Sequence, residues 1–286
     1  MELRRIKEGI SFLSGPTNLG VVEAEGGAIL IDSGIDDDTA RRALKLLEGL
    51  EVKVIINTHA HADHCGGNAF IKKRTGAQVF APEIEGCFIA HPSLEPSFLC
   101  SASPLAEMRN KFFVAKPSAV DKAFEEGTMS VLGKEVRCVP LPGHSIDHFG
   151  LEVDRVLFCG DAFLSEGILE KHPLPLYFDV KKEKETLKKL LGFDADYYVP
   201  SHGNTAVSIG DVLNANLKRI ERIEDTILQN AGKSVEEILS GLLPETADVG
   251  EYFLCRASVM AFLSYLQECN RVECRIEGKK LVWSIP

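Results

Sequence analysis

Residues 56–68 read INTHAHADHCGGN, three histidines and an aspartate within six positions, directly after the β-branched run VKVII. In an extended segment residues two apart face the same side, so His59 and His61 can converge on one ion. Asp63 and His64 then fall at the start of the next helix, within reach of a second ion. Divalent zinc takes imidazole nitrogen and carboxylate oxygen, commonly from three protein ligands with one position left open at a catalytic site. Gly66 and Gly67 are expected to let the following helix begin close to the site, its positive end toward an anion such as hydroxide. The stretch VKVIINT at 52–58 is apolar on both faces, as a buried strand is, so the cluster sits where open α/β sheets place ligands.

Upstream, ISFL, LGVVEA and AILI alternate with glycine-containing breaks, which is strand and hairpin punctuation. DDDTARRALKLLEGL then has acidic residues in its first turn, an apolar stripe at Ala40, Ala43, Leu44 and Leu47, and a stop at Gly49, so a helix is predicted. Downstream, NAFIKKRT reads as a helix ended by Gly76, and QVFAP as a strand. From 84 to 118 the pattern loosens, with prolines at 92, 96, 104 and 117 and many apolar residues for a loop. A lid or a pocket wall is expected there, with packing for stability alone as the alternative. A second β-rich half follows, with TMSVLGKEVRCVPLPGH, HFGLEVDRVLFCGDAF, a helix over 181–191 and the strand YYVP. The recurrence points to a two-sheet sandwich flanked by helices.

Four ligands do not complete two sites, and the remaining donors stand at other strand ends. His144 follows VRCVPL in PGHS, Asp161 follows RVLFC in FCGDAF, and His202 follows DYYV in VPSHG. Each is bordered by glycine or proline, as a loop bringing backbone close to an ion requires.

The ordered set HxHxDH, PGHS, GD and SHG, over roughly residues 10–204, resembles the metallo-β-lactamase superfamily. The resemblance implies an α/β fold, a four-layer αββα sandwich, as a catalytic domain over 1–204. It implies that His59, His61 and His144 hold a first metal, that Asp63, His64 and His202 hold a second, and that Asp161 bridges them. The implied cofactor is two divalent metal ions, zinc first, with iron or manganese as alternatives. THAHADHCGGN looks most like the glyoxalase II and general hydrolase branches, whereas a zinc β-lactamase would commonly carry cysteine in place of Asp161. Cys65 matches no ligand position and reads as a small buried residue. Two ions about 3.5–4 Å apart would bring a shared water toward ionisation near neutral pH. Asp63 could then accept its proton as the catalytic carboxylate. His148, four residues after His144, is either a positioning residue or a structural histidine; His91 and His172 read as surface residues.

Residues 205–286 shift to helix. A long amphipathic segment is followed by SVEEILSGL with a capping box from Ser234 to Glu237, a third helix, and a hairpin turning at Glu277-Gly278. Three helices and a hairpin look like a winged-helix module. Its nine basic and twelve acidic residues argue against phosphate binding. The third helix offers only Arg256 and is too apolar to read a groove, so the module is expected to pack on the core or on a second copy as a homodimer.

The chain has 286 residues with 32 basic and 42 acidic, a formal charge of -10, so nucleic acid is disfavoured as a partner. Eight cysteines lie without a CxxC pair, which argues against a disulfide framework and a cysteine zinc knuckle. The first residues have no apolar signal core and no stretch approaches a membrane span, so a cytoplasmic location without membrane association is expected. The leading expectation is a metal-dependent hydrolase of a small thioester, ester or lactone, working through a metal-bridging hydroxide. The alternatives are a phosphodiesterase or endoribonuclease of the winged-helix β-lactamase-like type, an iron-dependent persulfide dioxygenase, and a redox- or metal-responsive regulator.

Overall fold

Short apolar runs broken by turns build the first sheet. In the computed structural model, which describes residues 1–286, β1 (Glu2–Lys7), β2 (Ile10–Ser14), β3 (Leu19–Ala24) and β4 (Gly27–Ile31) form an antiparallel meander. The chain then passes through α1 (Asp37–Leu46), whose Asp36 cap accepts the Thr39 N–H, and returns as β5 (Val52–Ile56), parallel to β4. The strands β6 (Gln78–Pro82) and β7 (Lys122–Phe124) continue in parallel, completing seven strands in chain order. The second sheet has the order β12-β11-β10-β9-β8, from β8 (Gly127–Val131), β9 (Lys134–Pro140), β10 (Phe149–Val153), β11 (Val156–Gly160) and β12 (Tyr197–Pro200).

The chain divides into two units. The first, residues 1–141, 147–162 and 193–209, holds both sheets. Their facing sides share a core in which Ile10, Phe12, Ile29, Val54 and Ile56 meet Val136, Leu151, Val156 and Phe158. The other face of the first sheet buries Leu30, Val52, Ile55 and Val79 with Ala40, Ala43 and Leu47 around α1 and Ile71 from α3 (Asn68–Thr75). A bulge between Ala28 and Ile29 pairs Ala28 with Val52 but Ile29 with Val54. Lys53 is the extra residue, so Val52 and Ile55 fall on one face while Val54 and Ile56 fall on the other.

Two expectations need correcting. Asp63 and His64 fall at the start of a helix as expected, α2 (Ala62–Cys65), but Gly66 and Gly67 follow that helix and link it to α3 rather than precede it. Both glycines have ordinary helical φ, so the need is for space. A Cβ at Gly66 would lie 2.1 Å from the Ile35 carbonyl oxygen, and one at Gly67 would lie 2.3 Å from that of Ser33. The segment 84–118 is also more regular than its prolines suggest. It forms most of α4 (Glu83–Ala90), then α5 (Leu94–Cys100) and a 3-10 turn at Ala106–Met108, because Pro92 and Pro96 stand between the helices and in the first turn of α5, where no N–H is missed.

The second unit comprises residues 142–146, 163–192 and 210–286. It contains α6 (Glu166–Lys171), α7 (Val180–Leu191), α8 (Gly210–Gln229), α9 (Val235–Ser240) and α10 (Val249–Glu268), with β13 (Lys233–Ser234), β14 (Glu273–Glu277) and β15 (Lys280–Ser284) ordered β13-β15-β14. The predicted capping box is present, with the Ser234 N–H donating to Glu237 Oε2 at 2.9 Å. Buried Glu224 of α8 accepts from Lys184 of α7 at 2.9 Å and from Arg271 at 3.1 Å, tying these segments together. No helix is long and apolar enough to cross a membrane.

Candidate metal centre

The carboxyl ends of the parallel strands β4 and β5 lie side by side, and the site is organised from there. Asp32, the first residue after β4, is buried with a left-handed φ of 59°. Its Oδ1 accepts the Thr58 N–H at 2.9 Å, and its Oδ2 accepts the Thr58 hydroxyl at 2.8 Å and faces His64 Nδ1 at 2.8 Å. With its proton given to Asp32, Thr58 Oγ1 is left to accept from His59 Nδ1, 3.0 Å away. Asp32 therefore orients two imidazoles, one directly and one through a hydroxyl.

This fixes where the other ring nitrogens point. His59 Nε2 faces His61 Nδ1 at 3.0 Å, and His61 Nε2 is turned to Glu95 Oε1 at 3.5 Å. His202 has its Nδ1 2.7 Å from the Pro16 carbonyl oxygen. Its Nε2 lies 3.3 Å from Asp63 Oδ2 and 3.5 Å from Asp161 Oδ2. His64 Nε2 lies 3.5 Å from the same Asp63 oxygen and 3.4 Å from the same Asp161 oxygen. It is buried and makes no hydrogen bond of good geometry. Donor atoms of His59, His64 and Asp161, and likewise of Asp63, His64 and His202, lie within 4.8 Å of one another. Four imidazole nitrogens with their opposite nitrogens anchored, together with two carboxylates, form a donor set that fits zinc or a similar divalent cation.

Charge divides sharply among these groups. Burial holds His59 neutral, well below the usual imidazole range, with His64 and His61 adding repulsion. Burial likewise takes His61 down to about 4 against the pull of Asp63. Burial also opposes charge on His64, but Asp63, Asp161 and Asp32 overcome it and raise the group well above its ordinary value. His202 is pushed up to about 11, chiefly by Asp161. Against the cost of burial, Asp63 is kept ionised by His64 and His202, and Asp161 by His202 and His64.

Of the seven residues expected from sequence, the first unit brings six together: His59, His61, Asp63, His64, Asp161 and His202. His144 lies four residues beyond β9, in the segment 142–146 of the second unit. There the Gly143 carbonyl accepts from the N–H groups of Phe178 and Asp179, both at 2.9 Å, and Thr186 donates to the Pro142 carbonyl at 2.7 Å. His148 is fully buried, and its Nε2 accepts the Asp161 N–H at 3.0 Å, so it positions the backbone of that aspartate. Cys65 is buried and donates to the Ala60 carbonyl at 3.1 Å. His91 is exposed and His172 half-buried.

Several supporting residues escaped the sequence reading. Asp32 stands in LIDSG, after an apolar strand and before a glycine, the same pattern that marks Asp161. Asn18 donates to the carbonyls of Pro200 and Gly203 at 2.9 and 2.8 Å and so holds the turn bearing His202. Thr17 donates to Asp63 Oδ2 at 2.9 Å. Glu85 and Glu95 reach the histidine loop from the segment first read as loose, and no local pattern marks them. Burial lifts the Glu95 carboxyl well above the usual carboxylate range, with Glu85 and Asp63 adding to it.

The family model of the metallo-beta-lactamase superfamily matches residues 14–202. The chain belongs to the metallo-β-lactamase superfamily. Among its relatives within this superfamily, a hydroxyacylglutathione hydrolase from Albidiferax ferrireducens is 31% identical over 51% of this chain and 48% of that protein. An atrochrysone carboxyl ACP thioesterase from Aspergillus fumigatus is 26% identical over 79% of this chain and 46% of that protein. The chain thus spans about half the length of these two relatives. A metallo-beta-lactamase family protein from Thermus thermophilus has a similar fold throughout, with a TM-score of 0.77, 22% identity, and coverage of 99% of this chain and 100% of that one.

Proposed function

We propose that this superfamily member is a dinuclear, zinc-type hydrolase of small thioesters, esters or lactones. The observation that carries the reading is the convergence of His64 Nε2 and His202 Nε2 on the same oxygens of Asp63 and Asp161. In this assignment His59, His61 and His144 would hold one ion, Asp63, His64 and His202 would hold the other, and Asp161 would serve both. Ions bound there would acidify a water and polarise the substrate carbonyl.

The chain's own groups divide the remaining work. The Asp63 side chain is 32% exposed and that of Asp161 is 7% exposed. Asp63 is therefore the carboxylate that can take a proton from the attacking water, while Asp161 keeps the ligand spacing. Asp32, Thr58, Pro16 and His148 hold the rings and the aspartate in place. The helical segment from α4 to the end of the insertion presents Ile84, Leu94, Phe98, Leu105 and Phe112 to solvent, which supports a substrate with an apolar acyl part. The two relatives that carry hydrolase and thioesterase names support the same class of reaction.

The test is metal analysis of protein purified without added metal, followed by assay against thioesters, lactones, esters, phosphodiesters and RNA. Two zinc equivalents with chelator-sensitive acyl cleavage are expected. A single iron with oxygen uptake, or cleavage confined to RNA, would overturn the reading.

A further inference from the structure

The apolar segment after β6 places two carboxylates on the histidine loop. Glu85 of α4 is buried; its Oε2 accepts the Ala60 N–H at 2.8 Å, between the two paired histidines, and its Oε1 accepts the Asp147 N–H at 3.0 Å. Glu95 of α5 meets the His61 ring itself, at 3.5 Å from Nε2, with both side chains under a fifth exposed. The same segment is fastened farther along to the start of α1, by Lys111 to Asp36 at 2.7 Å and by Lys116 to Asp37. Each of the other three converging rings in the first unit has its opposite nitrogen anchored by an oxygen from the β-sheet framework: Thr58 for His59, Asp32 for His64, Pro16 for His202. His61 alone among the four takes its anchor from the inserted helices.

We propose that Glu95 is a positioning residue for His61, accepting its Nε2–H so that Nδ1 is presented beside His59 Nε2. Metal affinity is thereby coupled to docking of α5. The proposal rests on His61 being a metal ligand. Any Glu95 oxygen that can accept serves the purpose, and so does the amide oxygen of glutamine. Helix geometry places Leu94 and Phe98 beside Glu95 on α5 and sets Pro96 and Leu99 on its other flank. The first pair is exposed and the second buried, so Glu95 stands at the boundary where the helix is seated.

The experiment compares Glu95→Ala and Glu95→Gln with the unmodified protein, by competition for zinc against a chromophoric chelator and by thermal unfolding of the metal-free forms. Removing the partner of a metal-ligating histidine typically weakens binding about 10- to 100-fold. Glu95→Ala is expected to lose that much at one of the two sites, while Glu95→Gln stays within about threefold by the same measure. Long-range ¹H–¹⁵N spectra of the zinc-loaded unmodified protein are expected to show His61 protonated at Nε2. The proposal is overturned by unchanged affinity in Glu95→Ala, by equal losses in both variants, or by His61 protonated at Nδ1. These readouts need no substrate, so a failure of the hydrolase assignment shows separately, as zinc binding without acyl cleavage.

Discussion

Asp32 Oδ2 lies 2.8 Å from His64 Nδ1 and 2.8 Å from the Thr58 hydroxyl, all three side chains being buried. One carboxylate thus orients His64 directly and His59 through the Thr58 hydroxyl. Asp32→Ala strands the Thr58 N–H, the Thr58 hydroxyl and the His64 Nδ1–H away from water, at about 1–3 kcal/mol for each group left unpaired. Urea unfolding should register a loss of about 3 kcal/mol or more, and metal content should fall. A variant of native stability with full metal content would refute the role of Asp32 as organiser.

Charge accounting predicts the pH dependence. In the metal-free protein His202 sits at about 11 against an ordinary 6.5. Its folded value is raised, so its contribution to stability is complete below about 6.5 and disappears as pH rises through about 11. Ligation requires a neutral Nε2. Metal uptake at pH 8 must therefore release a proton from His202, and one from His64, which is also raised. Asp63 and Asp161 are already ionised and His59 and His61 already neutral, so they release none. Calorimetry in two buffers of different ionisation heat should find at least one proton released per chain, with affinity rising up to about tenfold per pH unit for each. Zero release would show that both rings are neutral before metal arrives.

Gly67→Ala places a Cβ 2.3 Å from the Ser33 carbonyl oxygen. Backbone cannot give way as a side chain can, so we expect a loss of about 3 kcal/mol, read as a lower urea midpoint at unchanged slope. Gly49→Ala, a glycine with open space beside it but φ of 92°, serves as the comparison in which strain acts without collision.

Phe98, 57% exposed on α5, should be dispensable for stability, within about 0.5 kcal/mol. Phe98→Ala is expected to raise KM for long apolar acyl substrates by about 5- to 30-fold, from roughly 1–2 kcal/mol of lost burial. Short acyl substrates should be unaffected. Equal effects on both would place Phe98 outside the acyl path.

The sequence was informative wherever one strand's ending carried its own signature. His59, His61, Asp63, His64, Asp161 and His202 each follow an apolar run and border small or turn-forming residues, and the structure assembles all six. The supporting shell was less visible for a physical reason. Asp32 acts through the lateral pairing of β4 with β5, and Asn18 reaches residues about 180 positions away in the chain, so neither can be inferred from local pattern. The α4 and α5 helices were obscured by prolines, which read as breakers although one of them sits in the tolerant first turn. Gly66 and Gly67 were legible as necessary, but for hinge geometry; their actual role, close approach to two carbonyls, depends on where the loop after β4 runs.

The bulge at Lys53 has a bearing on folding as well as on packing. Because β4 and β5 are parallel and each ends in site residues, their alignment decides whether Asp32 or a neighbour faces Thr58. A slip by one residue would offer Ile31 or Ser33 instead. Such a chain could still bury much of its sheet, yet it would lack the carboxylate that orders the rings. The alignment of β4 with β5 is therefore what brings the Asp32 carboxylate to both the Thr58 hydroxyl and His64 Nδ1.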